Sequence, residues 1–216
     1  GVGIIGVGGY GEFLLSTYTK MPGIKVLGIY ARHKKKLEKL SKKFKIPYTS
    51  TDYKEIMERN DIDIVVISTP PFLHAKMVVD AIKAKKHVIC EKPMALSMEE
   101  ADKIKNALKK SRMLLTIDYV LRENKLVLCL KEMIKRGIFG NIQNLVFENF
   151  AGDSGLDKSH WFWDKKKSGG IWIEHGVHFF DLFEFLFNQK INKVLSVSNS
   201  RTKEIEDQVA ALCLYD

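Results

Sequence analysis

Three groups of residues in this 216-residue chain have types and spacings suited to chemistry. The first is Glu91-Lys92-Pro93, which follows the apolar run Val88-Ile89-Cys90. A lysine there is placed to meet a ligand, because open parallel α/β sheets bind ligands just outside the carboxyl ends of their strands. Pro93, with a fixed φ and no N–H, ends the strand and stiffens the turn that carries Lys92. Alone, such a turn is more simply a solvated loop before a helix, so its meaning depends on the other two groups.

The second group is Gly6-Val7-Gly8-Gly9-Tyr10-Gly11, between an apolar run and a helical pattern. In that position glycines serve a tight turn, close backbone approach to a pyrophosphate and close helix packing, and the N–H groups of the helix start face the phosphates. The group therefore predicts dinucleotide binding, with a purely structural turn as the plainer reading. About 20 residues beyond the glycines, where NAD enzymes place an acid, the chain has Ala31, Arg32, His33 and Lys34. A guanidinium can grip an extra phosphate that a carboxylate would repel, so NADP(H) is favoured over NAD(H). Arg32 stacked on adenine would serve either cofactor.

The third group is Ser168-Gly169-Gly170, followed by Glu174, His175, His178 and Asp181. On an α-helix Glu174, His178 and Asp181 stand at i, i+4 and i+7, which puts a histidine between two carboxylates on one face. An adjacent carboxylate stabilises imidazolium, so His178 is suited to taking a proton near neutral pH. Two other readings compete: a metal site built from His175, His178, Glu174 and Asp181, which matches no recognised zinc spacing, and a structural polar cluster.

These groups need elements to hold them. Strands are predicted at Val2 to Ile5, Lys25 to Tyr30, Ile64 to Ile67, His87 to Cys90 and Leu114 to Ile117. Helices are predicted near Tyr10 to Tyr18, Lys34 to Phe44, Leu73 to Ala84 and Met98 to Ser111. Such alternation is the signature of a doubly wound parallel α/β sheet, taken here as a domain spanning 1–119. From residue 120 to 216 the order changes to a helix (Asn124 to Arg136), a strand (Gln143 to Phe150), a polar and aromatic loop, a helix (Ile171 to Phe187) and strands at Val194 to Val197 and Gln208 to Tyr215. That order predicts an α+β domain with a largely antiparallel sheet. The first strand starts at the first residue, without an initiator methionine, and the last runs up to Asp216. The chain is therefore expected to be part of a longer polypeptide, truncated at its C-terminus.

Composition narrows the class. No apolar run reaches the roughly 18 residues of a membrane span and no secretory signal pattern opens the chain, so a cytoplasmic globular protein is expected, without membrane association. The net charge of +9 raises the question of nucleic acid. However, the densest basic stretch, Arg32 to Lys45, carries Leu37, Leu40 and Phe44 at helical spacing and reads as a solvated helix face. No nucleic-acid motif accompanies it, so nucleic acid is not expected as a partner. Cys90, Cys129 and Cys213 are widely spaced and are expected to be reduced, buried residues, neither a disulfide framework nor a thiolate metal site.

Together with Ser68-Thr69-Pro70-Pro71-Phe72-Leu73-His74 and Glu91-Lys92-Pro93-Met94-Ala95-Leu96, the glycine loop and the Ser168 to Asp181 segment resemble the glucose-fructose oxidoreductase, inositol dehydrogenase and rhizopine catabolism (Gfo/Idh/MocA) family. The resemblance spans essentially the whole chain, with four motifs in the family's order. It implies a Rossmann domain followed by a substrate and oligomerisation domain, and an NAD(P)-dependent oxidoreductase that moves hydride between nicotinamide and the alcohol or carbonyl carbon of a sugar, cyclitol or related polyol. The implied catalytic residues are Lys92, His178 and Glu174. Many members carry aspartate where this chain has Glu174, and Asn124 stands near a common proline. Implied cofactor contacts are Gly6, Gly8, Gly9, Tyr10, Gly11, Ala31, Arg32, His33, Thr69, Pro70, His74, Glu91 and Lys92. Implied substrate contacts are Lys92, Tyr119, Trp161, Trp163, Glu174, His175 and His178, with His160 and Asp164 able to add hydrogen bonds to hydroxyls. No metal is expected, and a homodimer or homotetramer would form through the C-terminal sheet. A non-catalytic NAD(P)-binding regulator and a metal-dependent lyase or hydrolase are the rival functions.

Overall fold

The computed structural model describes residues 1–152, 155–200 and 205–215; Asp216, which the last predicted strand approaches, lies outside them. The chain divides into two compact units, Gly1–Asp118 and Tyr119–Asp216. In the first, strands β1 (Val2–Ile5), β2 (Val26–Tyr30), β3 (Tyr48–Ser50), β4 (Ile64–Ile67), β5 (His87–Glu91) and β6 (Leu115–Asp118) alternate with helices. The helices are α1 (Gly9–Tyr18), α2 (Lys34–Phe44), α3 (Tyr53–Met57), α4 (His74–Lys83) and α5 (Met98–Lys109).

The six strands are all parallel in the order β3-β2-β1-β4-β5-β6. The order reverses between β1 and β4, which opens a crevice at their carboxyl ends. Side chains alternate across the sheet. Val2 and Ile4 join Leu14, Leu15, Leu37 and Leu40 in one buried cluster, while Ile5 joins Val65, Ile67, Val78, Ala81 and Ile104 in the other. Because both faces are covered by helices, the strands can be short and almost wholly apolar. Register brings Ile5 level with Tyr30 and Ile67, and Ile67 level with Cys90. The glycine loop, the Ser68-Thr69-Pro70 turn and Glu91-Lys92-Pro93 therefore leave the sheet along one edge.

Helix α2 buries Leu37 and Leu40 and turns its lysines outward, where Lys36 and Lys43 pair with Glu12 of α1 at 3.8 and 3.1 Å. Helix α5 starts at a cap formed by Ser97, whose Oγ accepts from the Glu100 N–H, while the Glu100 carboxylate accepts from the Leu96 N–H. This reciprocal arrangement, close to a capping box, fixes where the chain resumes a helix after the Lys92 turn.

The second unit contains α6 (Lys125–Lys135), the four-residue α7 (Lys165–Ser168), a π-helical turn (Trp172–Gly176), α8 (Val177–Phe187) and an antiparallel pair, β7 (Ile191–Asn199) and β8 (Gln208–Tyr215). The predicted strand from Gln143 to Phe150 does not form. A strand needs a ladder partner, and among the described residues β7 and β8 pair only with each other. Phe147 instead packs on Phe179 and Phe183 of α8, with ring centroids 4.4 and 5.8 Å away. Of the three cysteines expected to be buried only Cys90 is; Cys129 is exposed and Cys213 half-buried.

Candidate active site

At the sheet edge, the glycines of the first turn have separable reasons. Gly6 has φ +97°, and a Cβ there would lie 2.6 Å from the Ser68 carbonyl oxygen, so both conformation and space exclude a side chain. A Cβ at Gly11 would overlap the Gly6 carbonyl oxygen, which lets α1 pack close. Gly8 and Gly9 differ: a Cβ at either would meet nothing within 4 Å, and Gly8 has the ordinary extended geometry of φ −74° and ψ −175°. Nothing among the described residues requires glycine at these two positions. The absent side chains leave a bare backbone cradle at the N-terminus of α1, which fits a pyrophosphate held by N–H groups. Tyr10 stands half-exposed beside the cradle. Its phenol is pushed up by burial and then by the negative charge of Glu91 and Asp118, so these groups share one electrostatic neighbourhood.

At the end of β2, Ala31 is buried while Arg32, His33, Lys34 and Lys35 are exposed. His33 precedes α2 without a side-chain cap, and the first turn of α2 contains no acid. That end of the crevice is thus cationic, with helix N–H groups unneutralised by a nearby carboxylate.

At β4, Thr69 donates from Oγ1 to Met77 Sδ at 3.5 Å, and Pro70 precedes the short 3-10 turn Pro71–Leu73 that leads into α4. His74, expected as a cofactor contact, is only 1% exposed. Its Nε2 lies 2.7 Å from the Thr69 carbonyl and its Nδ1 2.7 Å from the Pro93 carbonyl. Its side chain is spent between two turns of the protein.

At β5, Glu91 lies opposite Asp118 of β6 in the register. The Lys92–Pro93 peptide that follows is cis. Burial, then the charge of Asp118 and a hydrogen bond with it, push the Glu91 carboxyl up to about 8, against the opposing pull of Lys92. Glu91 Oε1 is buried without a hydrogen-bond partner among the described residues, an orphan that a polar group of a bound nucleotide would satisfy. Between about 4.5 and about 8 the folded chain keeps a proton on Glu91 that the unfolded chain releases, so this group's contribution is full on the acid side and is lost as pH rises through 8. Urea midpoints measured from pH 5 to pH 8 should therefore fall more steeply for the native chain than for Glu91→Gln. Equal slopes would contradict the raised value.

In the second unit the expected helical face is altered. Glu174 and His175 lie in the π-helical turn Trp172–Gly176, and His178 lies in the first turn of α8. A π-helical turn thus stands where an α-helix is expected; such turns are frequent at functional sites. Asp181 is engaged by Arg122. Its oxygens accept two hydrogen bonds from the Arg122 guanidinium, at 2.9 and 2.6 Å. Arg122 also lies over the rings of Tyr119 and Phe185. His175 Nε2 lies 2.9 Å from Asn149 Oδ1, and its ring meets Phe179 edge-on.

The Ser168-Gly169-Gly170 motif has an internal reason that sequence reading missed. Gly170 has φ +82°, and a Cβ there would collide with the Glu206 carboxylate. Glu206 is buried, and Lys165 bridges to it at 2.9 Å. The glycine thus seats a carboxylate beside the start of the π-turn. Phe162 and Trp163 meet edge-to-face at 4.9 Å, and Trp161 lies nearer to His160, at 5.0 Å, than to Phe162, at 6.3 Å. Trp163, His160 and Asp164 line a cleft of about 530 Å³ with Lys158, Ser159 and Lys165 to Lys167; Trp161 does not line it. Among the described residues no group of three or more histidine, cysteine, aspartate or glutamate side chains is arranged to hold a metal ion.

Comparison with known proteins agrees with this architecture. The family described as "Oxidoreductase family, NAD-binding Rossmann fold" matches residues 1–119, and that described as "GFO/IDH/MocA C-terminal domain" matches residues 127–216. The chain is 27% identical over 192 residues to scyllo-inositol 2-dehydrogenase (NAD(+)) of Bacillus subtilis (strain 168), covering 88% of this chain and 55% of that protein. It is 29% identical over 197 residues to glycosyl hydrolase family 109 protein 1 of Shewanella sp. (strain ANA-3), covering 82% of this chain and 42% of that protein. The chain thus spans about half the length of these curated relatives. In fold it is similar to the crystal structure of scyllo-inositol dehydrogenase from Lactobacillus casei with bound NAD(H) and scyllo-inositol, with a TM-score of 0.85 at 20% identity, covering 100% of this chain and 66% of that one. With family matches along both units and a glycine cradle at the switch point of a doubly wound sheet, the chain belongs to the Gfo/Idh/MocA oxidoreductase family.

Proposed function

We propose that the protein is an NAD(P)-dependent oxidoreductase acting on the CH–OH or carbonyl carbon of a sugar, cyclitol or related polyol. The observation that carries this reading is the bare cradle at Gly8 and Gly9 on the same strand edge as Lys92. Gly6 to Gly11, Thr69, Pro70 and Glu91 would hold the dinucleotide. When bound, its nicotinamide supplies the hydride acceptor or donor. The chain's own residues handle the oxygen and its proton. Lys92 donates a hydrogen bond to the reacting oxygen and stabilises its developing negative charge, and His178 takes the hydroxyl proton, or returns it in reduction. Glu174 orients and tunes that histidine, and Tyr119, Trp161, Trp163 and His175 contribute to substrate binding.

For the cofactor, the exposed Arg32, His33 and Lys34 support NADP(H) over NAD(H). A charge-assisted hydrogen bond of about 1.5–3 kcal/mol to the extra phosphate corresponds to roughly ten- to hundredfold in affinity. Arg32→Glu should weaken NADPH binding by about that factor and leave NADH nearly unchanged, as read by titration of nicotinamide fluorescence. Equal effects on both cofactors would assign Arg32 to the adenine face.

Exposed Val194, Leu195, Val197, Leu212 and Leu214 on β7 and β8 support assembly into a homodimer or homotetramer through this sheet. One observation favours a second reaction, glycoside cleavage: the similarity to the Shewanella glycosyl hydrolase family protein. A screen of polyols, sugars, glycosides and carbonyl compounds with full-length protein and both cofactors, followed by nicotinamide absorbance and product analysis, separates the readings. Net cofactor turnover supports the oxidoreductase. Released sugar without net turnover supports the hydrolase, and cofactor binding without either product supports a regulator.

A further inference from the structure

We propose that His74 is a positioning residue that locks the Thr69-Pro70 turn to the Lys92-Pro93 turn and thereby fixes where Lys92 stands. This rests on the oxidoreductase reading for its kinetic consequence, not for its structural one. The two turns leave neighbouring strands, β4 and β5, and carry the threonine–proline and lysine expected to meet cofactor and substrate. Backbone pairing between those strands stops at Ile67 and Cys90, so the segments beyond them need another tie. The imidazole spans the gap, with ring nitrogens on opposite sides 2.7 Å from the Thr69 and Pro93 carbonyls.

The surroundings make this connection stiff. His74 opens α4, whose Ala75, Met77, Val78, Ala81 and Ile82 are buried, so its backbone is held by the core. A buried carbonyl left without a donor is costly, and no solvent is available to replace a ring that is 1% exposed. The imidazolium can donate to both carbonyls, while a neutral ring donates to one. Burial holds the ring below the usual histidine value, so near neutral pH it donates to one of the two carbonyls, the tautomer choosing which, while its place between them sets their spacing. Asparagine is too short to span both carbonyls, and phenylalanine fills the volume without a donor.

The test uses His74→Phe in full-length protein, with His74→Gln as a variant that retains a donor. Hydrogen exchange should rise together in Ser68–Leu73 and Glu91–Ala95 while Val65 and Val88 stay protected, and the glutamine variant should restore part of the protection. At a temperature where His74→Phe is fully folded, its kcat should fall about thirtyfold. In a Lys92→Met background the same change should cost less than about threefold, because a residue acting through Lys92 has nothing left to position. A uniform rise in exchange, or the same loss of kcat in both backgrounds, would overturn the proposal. If no substrate turns over, the exchange pattern alone decides it: coupled local loosening supports the tie, and unchanged turns refute it.

Discussion

Lys92→Met and His178→Ala are each expected to lower kcat by about two to four orders of magnitude while leaving cofactor affinity within about threefold. The size follows from the chemistry. An alcohol oxygen that loses its proton as the carbon is oxidised needs a base for that proton and a donor for the charge it develops, and a positioned group of either kind contributes about 10²-fold or more. Methionine keeps the length and apolar stem of Lys92 but cannot donate a hydrogen bond or carry charge. Alanine at residue 178 removes the imidazole from the first turn of α8 without touching the glycine cradle in the other unit. Turnover is read by steady-state absorbance of reduced nicotinamide, and binding by its fluorescence. Near-normal kcat in both variants would remove these residues from the chemistry.

The second large effect separates two glycines three residues apart. Gly11→Ala should destabilise the fold, because its Cβ would overlap the Gly6 carbonyl oxygen and that backbone atom cannot swing aside. Overpacking of this kind costs about 3 kcal/mol, which in a chain of this size lowers Tm by roughly 6–12 °C. Gly8→Val should do the opposite. Its Cβ meets no atom of the described residues within 4 Å and its backbone geometry suits any residue, so stability should stay within about 1 kcal/mol. Yet the new side chain stands where the backbone must approach the pyrophosphate, and cofactor affinity should fall about a hundredfold, or about 2.7 kcal/mol. Thermal unfolding and cofactor titration of both variants read the contrast. A stable Gly11→Ala, or a Gly8→Val that binds normally, would mean that the glycines serve other ends.

Much of the first unit was legible because its signals are local. Apolar runs such as Ile64 to Ile67, the glycine loop and the alternation of elements carry the sheet order's logic within short windows of sequence. Strand β3 and helix α3 escaped notice because runs of three and five residues are too short to show a period. The second unit was less legible because its determinants are distant in sequence. Residues 143–150 have strand-like composition, but a strand exists only where another offers a ladder. Asp181 accepts from Arg122, 59 residues earlier, a pairing that no local window of sequence shows. A continuous α-helix is the plain expectation from the spacing of Glu174 and His178, and the π-turn at Trp172–Gly176 has no local sequence signal. The reason for glycine at residue 170 lies in Glu206, 36 residues later. His74 is expected from the family resemblance as a cofactor contact, and only its burial between two carbonyls shows what it holds.

The central claim is direct exchange between a substrate carbon and the nicotinamide, and isotope transfer tests it most directly. A polyol that turns over in the substrate screen, deuterated at its reacting carbinol carbon, would be incubated with full-length protein and oxidised cofactor. The recovered reduced cofactor would then be examined by NMR. The oxidoreductase reading predicts deuterium at C4 of the nicotinamide, one atom per turnover, and a slowed rate wherever that step limits kcat. Reduced cofactor without the label, or product formed with all deuterium retained on its carbon, would contradict it.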